Sequence, residues 1–211
     1  MQRVKPILWI GLIFLVGTAG CNRCSKEETT GELAGEATAG AVQAAGGSMN
    51  QEIDWSVDAE GLSKVAAVVV TDKGAFKFKF YPEKAPKTTR RIAELIQQGF
   101  YNGLTFHRVV PGFVIQGGDP TGTGAGGSGQ NLQAEFNDIP HVKGTVAMAR
   151  AQDPDSADSQ FYVSLGRHPH LDRNYTVFGY VVEGIDVVES IEKGDHMTKV
   201  TLEIPGTNSE K

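Results

Sequence analysis

Cysteine is almost missing from this 211-residue sequence. There are two, Cys21 and Cys24, both ahead of the stretch with the composition of a folded domain. That excludes a disulfide framework and thiol chemistry within the domain. Excess positive charge is missing too: 20 Lys and Arg face 25 Asp and Glu, for a net charge of −5. Such a chain has no electrostatic reason to bind phosphate backbones, which excludes nucleic acid as a partner. No internal repeat is visible. Complete metal-ligand sets are also lacking. His168 and His170 stand close together, but no carboxylate or cysteine set completes them. Asp153, Asp155 and Asp158 lack the glycine and distal Glu of a calcium loop. We expect no metal and no cofactor.

Long apolar runs are scarce as well. Ile7 to Val16 (ILWIGLIFLV) is too short to span a bilayer comfortably but has the length of a signal-peptide core, and Arg3 and Lys5 supply the positive flank before it. Gly17-Thr18-Ala19-Gly20-Cys21 follows, and it resembles the lipobox at which bacterial lipoprotein precursors are cut and the new N-terminal cysteine acylated. Thr18 departs from that motif, which usually has an aliphatic residue there. An ordinary cleaved signal and an uncleaved anchor are the alternatives. Residues 22 to about 60 are rich in Ala, Gly, Thr and Glu, with almost no large apolar residue before Ile53 and Trp55, and cannot bury enough surface to fold. A flexible chain of about 40 residues has a typical end-to-end distance of roughly 35 Å. The expected organisation is a signal peptide over 1–20, a lipidated N-terminus and flexible linker over 21–61, one domain over 62–207 and a tail over 208–211. The expected location is exported and membrane-anchored through Cys21, on the periplasmic or cell-surface side, as a monomer. Cys24 has no assigned role.

Within the domain, strand signals dominate. Lys64 to Thr71 and Gly74 to Tyr81 flank Asp72-Lys73, and the second alternates Phe76, Phe78 and Phe80 with lysines. That pattern predicts an antiparallel hairpin. Pro86 suits a first helical turn, Ile92, Leu95 and Ile96 recur at helical spacing, and Gly99 is a C-terminal stop. Further strands are expected at 105–109, 113–116, 145–149, 160–165, 176–182 and 198–204, with a second helix at 185–193. Many short strands with two helices predict a mainly β fold, a closed or nearly closed antiparallel barrel with its ends covered by the helices.

Gly122, Gly124 and Gly127 satisfy the GxGxxG spacing of a dinucleotide loop. That loop needs a helix opening at its third glycine, and GSGQNLQAEF offers no helical start. A flexible surface loop that uses glycine for positive φ is the better reading.

FHRVVPGFVIQGGD, residues 106–119, resembles the signature of the cyclophilin family of peptidyl-prolyl isomerases. The resemblance continues through GTVAMAR at 144–150, DSQFYV at 158–163 and YTVFG at 175–179, and covers residues 64 to 204. It implies an eight-stranded antiparallel barrel capped by two α-helices, an enzyme that speeds X-Pro isomerisation without cofactor, and proline-containing polypeptides as substrates. Position by position it implies Arg108 as the donor to the prolyl nitrogen, Gln116 as the residue that orients it, and Phe113, Val114, Tyr162 and Leu171 as the proline pocket. Ala149 and Arg150 match the stretch that pairs with the substrate backbone. Gln160 shares a strand face with Tyr162, with Phe161 on the core side.

Isomerisation moves no proton, so His107 is expected to pack or orient rather than act as a base. Met148 is expected in the core. His170 and Tyr175 occupy rim positions where the best-known eukaryotic members have Trp and His, which puts sensitivity to the cyclic peptide cyclosporin in doubt more than catalysis. A peptide-binding module without turnover, and a lipoprotein with only an architectural role, are the other functional classes. The joint presence of Arg108, Phe113 and Gln116 favours the enzyme.

Overall fold

The alternation over residues 74–80 determines where the core lies. Phe76, Phe78 and Phe80 are at most 3% exposed, while Lys77 and Lys79 remain accessible. Each buried ring contributes roughly 1.5–3 kcal/mol. The computed structural model describes residues 59–203; the signal segment, Cys21, Cys24, most of the linker and the 208–211 tail lie outside the described residues.

The described elements are α1 (Ala59–Ser63), β1 (Ala66–Thr71), β2 (Gly74–Phe80), α2 (Pro86–Gln97), β3 (Leu104–Thr105), β4 (Arg108–Val110), β5 (Val114–Gly117), β6 (Thr145–Met148), β7 (Phe161–Ser164), β8 (Val177–Glu183), α3 (Ile185–Ser190) and β9 (His196–Glu203). One antiparallel sheet holds all nine strands, in the order β3-β9-β1-β2-β8-β6-β7-β5-β4.

This corrects the closed eight-stranded barrel. The strand expected over 105–109 is two strands, because Phe106 turns its backbone toward the approach to β9, accepting from Gly194 N–H at 3.0 Å and donating to the Asp195 carbonyl at 2.9 Å. From Arg108 onward the chain pairs with β5 instead. The two halves therefore lie on opposite edges of the sheet, and only Phe106 and His107 separate them. The sheet curls, and its hydrogen-bond ladder stays open. The helix count also differs, since α1 adds a short third helix that begins within the expected linker.

In α2, Ala85 supplies no side-chain cap; the carboxylate of Glu135, far away in sequence, accepts from the N–H groups of Lys87 and Thr88 at 3.0 and 2.8 Å. At the other end Gly99, at φ 70°, completes a Schellman motif, with Phe100 N–H donating to Leu95 and Gly99 N–H to Ile96.

The sheet buries apolar residues on both faces. Inside lie Phe76, Phe78, Ile115, Val146, Met148, Phe161, Val163 and Phe178; on the outer side a smaller cluster joins Val114, Ala147, Tyr162, Leu171 and Val177. Period 2 separates Phe161 from Tyr162 and Ile115 from Val114. The outer cluster is the floor of the site.

Candidate active site

Strand register assembles this site. Arg108 stands opposite Gln116 across β4 and β5, Gln116 opposite Tyr162 across β5 and β7, and Tyr162 opposite Ala147 on β6. Adjacent strands lie about 4.8 Å apart, so four strands contribute to one row on the outer face. The β4–β5 link is a type II turn: Pro111 at the second position, Gly112 at the third with φ 69°, and Phe113 N–H donating to the Val110 carbonyl at 2.9 Å. It returns Phe113 to Arg108, whose guanidinium sits 5.6 Å from the ring centroid.

A depression of about 300 Å³ is lined by Arg108, Phe113, Val114, Gln116, Ala149, Arg150, Tyr162, Leu171 and Tyr175. Two of the expected site residues stand beside it. His170 is exposed and stacks on Phe113, with ring centroids 5.9 Å apart and planes 18° apart. Gln160 lies behind Gln116 and accepts from its Nε2 at 2.9 Å.

The two arginines have different surroundings. Arg150 spends its guanidinium on backbone carbonyls: Nε and Nη2 donate to Asn174 at 3.1 and 3.0 Å, and Nη1 to Ala151 and Gln152 at 2.9 and 3.1 Å. Its flat faces are covered by Tyr175 at 4.8 Å and Phe136 at 5.6 Å. Arg108 makes one hydrogen bond among the described residues, Nη1 to Gln116 Oε1 at 3.3 Å. Four of its five N–H donors are left for a ligand. Arg150 is a wall of the site, and Arg108 is the available donor within it.

The glycine loop also takes on a definite place. No helix opens at Gly127, and Gly122 and Gly124 have φ of 67° and 90°. The loop is closely held. Asp119, 1% exposed, accepts from Thr121 N–H and Oγ1 at 2.7 and 2.8 Å and from Gly124 N–H at 2.5 Å. Burial opposes its ionisation, but hydrogen bonds from Thr121, Gly124 and Gly126 outweigh it and hold the carboxyl well below the usual range. Asp158 accepts from the N–H groups of Ser128, Gly129 and Gln130. Within the loop, the carbonyls of Gly124 and Gly126 accept from Gln160 Nε2 at 3.0 and 2.8 Å. A chain of bonds thus runs from the glycine loop through Gln160 and Gln116 to Arg108.

Sequence reasoning missed this chain and the roles of Asp119 and Asp158. It also missed His141, fully buried beneath Tyr162 with Nε2 2.9 Å from the phenol oxygen. An Asp directly before a Pro- and Gly-rich run was the available signal for Asp119; none was available for His141. His107 packs under the loop near Gly124, with neither ring nitrogen hydrogen-bonded among the described residues, and burial lowers its pKa. Met148 is in the core at 1% exposure. His168 Nε2 meets the Phe113 carbonyl at 2.9 Å. No group of metal-ligating side chains occurs among the described residues.

Comparison with known proteins gives the family. The protein-family model described as cyclophilin type peptidyl-prolyl cis-trans isomerase/CLD matches residues 66–206. A peptidyl-prolyl cis-trans isomerase of Synechococcus elongatus is 44% identical over 138 residues, 64% of this chain and 94% of that protein. Peptidyl-prolyl cis-trans isomerase B of Bacillus subtilis is 42% identical over 142 residues, 66% of this chain and 99% of that protein. A crystal structure of a Cryptosporidium parvum cyclophilin type isomerase, determined in the presence of the dipeptide Ala-Pro, superposes with a TM-score of 0.61 at 27% identity, over 65% of this chain and 98% of that one. The chain belongs to the cyclophilin-type peptidyl-prolyl cis-trans isomerases. It is an isomerase, with a mainly β cyclophilin-like fold.

Proposed function

We propose that the depression on the outer face of the sheet takes the proline ring of a polypeptide substrate, with Arg108 as the group that lowers the barrier. A prolyl amide is held planar by delocalisation of its nitrogen lone pair, and the barrier is about 18–20 kcal/mol. A donor that bonds the nitrogen as it pyramidalises localises the lone pair and binds the twisted state better than either planar isomer. The guanidinium suits this task because it polarises without transferring a proton. Phe113, Val114, Tyr162 and Leu171 supply the apolar wall, Gln116 holds Arg108, and the backbone of Ala149 and Arg150 pairs with the extended substrate. The observation that carries the reading is that one arginine with unspent donors stands over an apolar floor of the right size. Titration of the protein with an X-Pro tetrapeptide, followed by NMR, should move the resonances of Tyr162, Ala149 and Leu171 and speed exchange between the two peptide isomers. Shifts confined to another face would overturn the assignment.

The same proposal extends to place. The basic, apolar and small-residue succession ending at Cys21 supports export and acylation, and the linker composition supports a domain held off a membrane. The clients would then be exported proteins whose folding waits on prolyl bonds, a step of tens to hundreds of seconds when uncatalysed. In a bacterial host, Cys21→Ser should abolish acylation and leave an unprocessed or differently cleaved chain. Mass spectrometry of the native protein that finds an unmodified mature N-terminus contradicts this.

A further inference from the structure

Tyr162 forms the floor of the site with its ring, and its hydroxyl meets a buried chain of polar groups. His141 Nε2 lies 2.9 Å from that hydroxyl. On the other side of the imidazole, Asp172 Oδ1 lies 3.2 Å from Nδ1 and accepts from the His141 backbone N–H at 2.8 Å. Arg167 closes the chain, donating from Nη1 to Asp172 Oδ1 at 3.0 Å, from Nη2 to Oδ2, and to the His141 carbonyl at 3.3 Å. His141 is 0% exposed, Tyr162 5%, and the outer members are more open, with 25% of the Asp172 side chain and 46% of the Arg167 side chain accessible.

The bonds decide which atoms hold the protons. A carboxylate only accepts, so the nitrogen facing Asp172 must be the N–H of the neutral ring; Nε2 is then a lone pair, and the Tyr162 hydroxyl donates to it. With a phenylalanine at 162 the ring would still line the site and pack among Val114, Ala147 and Leu171, but it would lose its hydrogen-bond tether. We propose that His141, Asp172 and Arg167 act as positioning residues that lock the Tyr162 ring in the substrate site, and that protonation of His141 releases the lock. This rests on the reading of the depression as the proline pocket.

A second proton on the imidazole makes Nε2 a donor. The Tyr162 hydroxyl must then turn round to accept, and its own proton loses its partner in a buried place where an unpaired donor is costly. The charged and titratable groups that face His141 are Asp172, Arg167, His168 and the phenols of Tyr162 and Tyr175. Burial lowers the pKa of His141, Asp172 opposes this, and His168 and Arg167 reinforce it. Asp172 itself is held well below the usual carboxylate range, chiefly by Arg167, and burial keeps the Tyr162 phenol protonated. The neutral, locked state is therefore complete above the ordinary histidine value of about 6.5, and is lost as pH falls through the depressed value.

The test is a pH profile of kcat/KM for an X-Pro peptide, with the His141 ring followed by nitrogen-detected NMR of the whole protein without substrate. We expect an acid limb, one proton in slope, centred below pH 6.5 and coincident with the NMR titration, and at neutral pH the tautomer with the proton on Nδ1. Tyr162→Phe should lose roughly 3- to 10-fold in kcat/KM, mostly through KM, and flatten the acid limb while His141 still titrates. Arg167→Gln, at an accessible side chain, should move both limb and titration to higher pH, because a neighbouring positive charge has been removed. A flat wild-type profile across the NMR titration, or an unchanged limb in Tyr162→Phe, overturns the proposal. The NMR titration needs no substrate, so failure of the pocket assignment shows separately, as turnover insensitive to substitution of Arg108.

Discussion

Arg108→Ala should lower the turnover of an X-Pro peptide at least ~10²-fold, a loss of about 2.7 kcal/mol of transition-state stabilisation, while the peptide still binds. The expectation follows from what each group can do. Nothing covalent changes in the reaction, so the barrier falls only by interactions that strengthen as the amide twists. On the proposed reading, apolar contacts from Phe113 and Leu171 would grip the ring in both planar isomers and act mainly on binding. On the same reading, the guanidinium would offer donors whose bond to the prolyl nitrogen exists only when the lone pair is localised. Its one hydrogen bond among the described residues, to Gln116 at 3.3 Å, leaves its other donors unspent. Arg108→Lys should restore little, because one rotating ammonium cannot both bond Gln116 and present a fixed fork. Kinetics with line-shape analysis of the bound peptide measures both quantities. Near-normal turnover in Arg108→Ala would remove the assigned role, and loss of binding with unchanged kcat would make Arg108 a mere contact.

Gly118→Ala should destabilise the fold by about 2–4 kcal/mol, whereas Gly112→Ala should cost only about 1 kcal/mol. Both glycines have positive φ, 87° and 69°, so each substitution strains the backbone. They differ in space. A methyl group at Gly118 would stand 2.5 Å from the Ser159 carbonyl oxygen and 3.2 Å from the Gln160 Cα, both backbone, while at Gly112 nothing lies within 4 Å. Ser159 cannot yield easily, since its hydroxyl donates to the Gly118 carbonyl at 2.7 Å and its own carbonyl accepts from the buried Tyr101 hydroxyl at 3.0 Å. Gly118→Ala should also depress activity, because the displaced segment carries Gln160 and through it Gln116 and Arg108. Urea unfolding of the two variants measures the difference. Equal losses would mean that the close approach of β5 to the start of β7 is not tight in solution.

Much of this protein was legible in the sequence because its information is local and periodic. The alternation at Phe76, Phe78 and Phe80 determined a core face, and the spacing of Gln160, Phe161 and Tyr162 determined which of the three turns inward. Pro86 and Gly99 marked both ends of α2 within two residues, since proline and glycine act on the backbone where they stand. The run from Phe106 to Asp119 pointed to the family, and physics accounts for four of its letters: Pro111-Gly112 makes the turn, Gly118 allows the close approach, and Asp119 ties down the loop.

Other features depended on tertiary structure alone. Nothing local distinguishes Phe106-His107 from the middle of a strand; the break arises because one segment pairs with β9 and the next with β5, on opposite edges of a curled sheet. GxGxxG gave no hint that the carbonyls of Gly124 and Gly126 end a chain leading to Arg108, because that chain joins residues 34 and 36 positions apart to one amide. Glu135 caps α2 from 48 residues away, and His141 reaches Tyr162 across 21. Such contacts follow no period. They exist only once register has been set and the loops have closed, and a side chain that bonds across that distance leaves no pattern in the letters on either side of it.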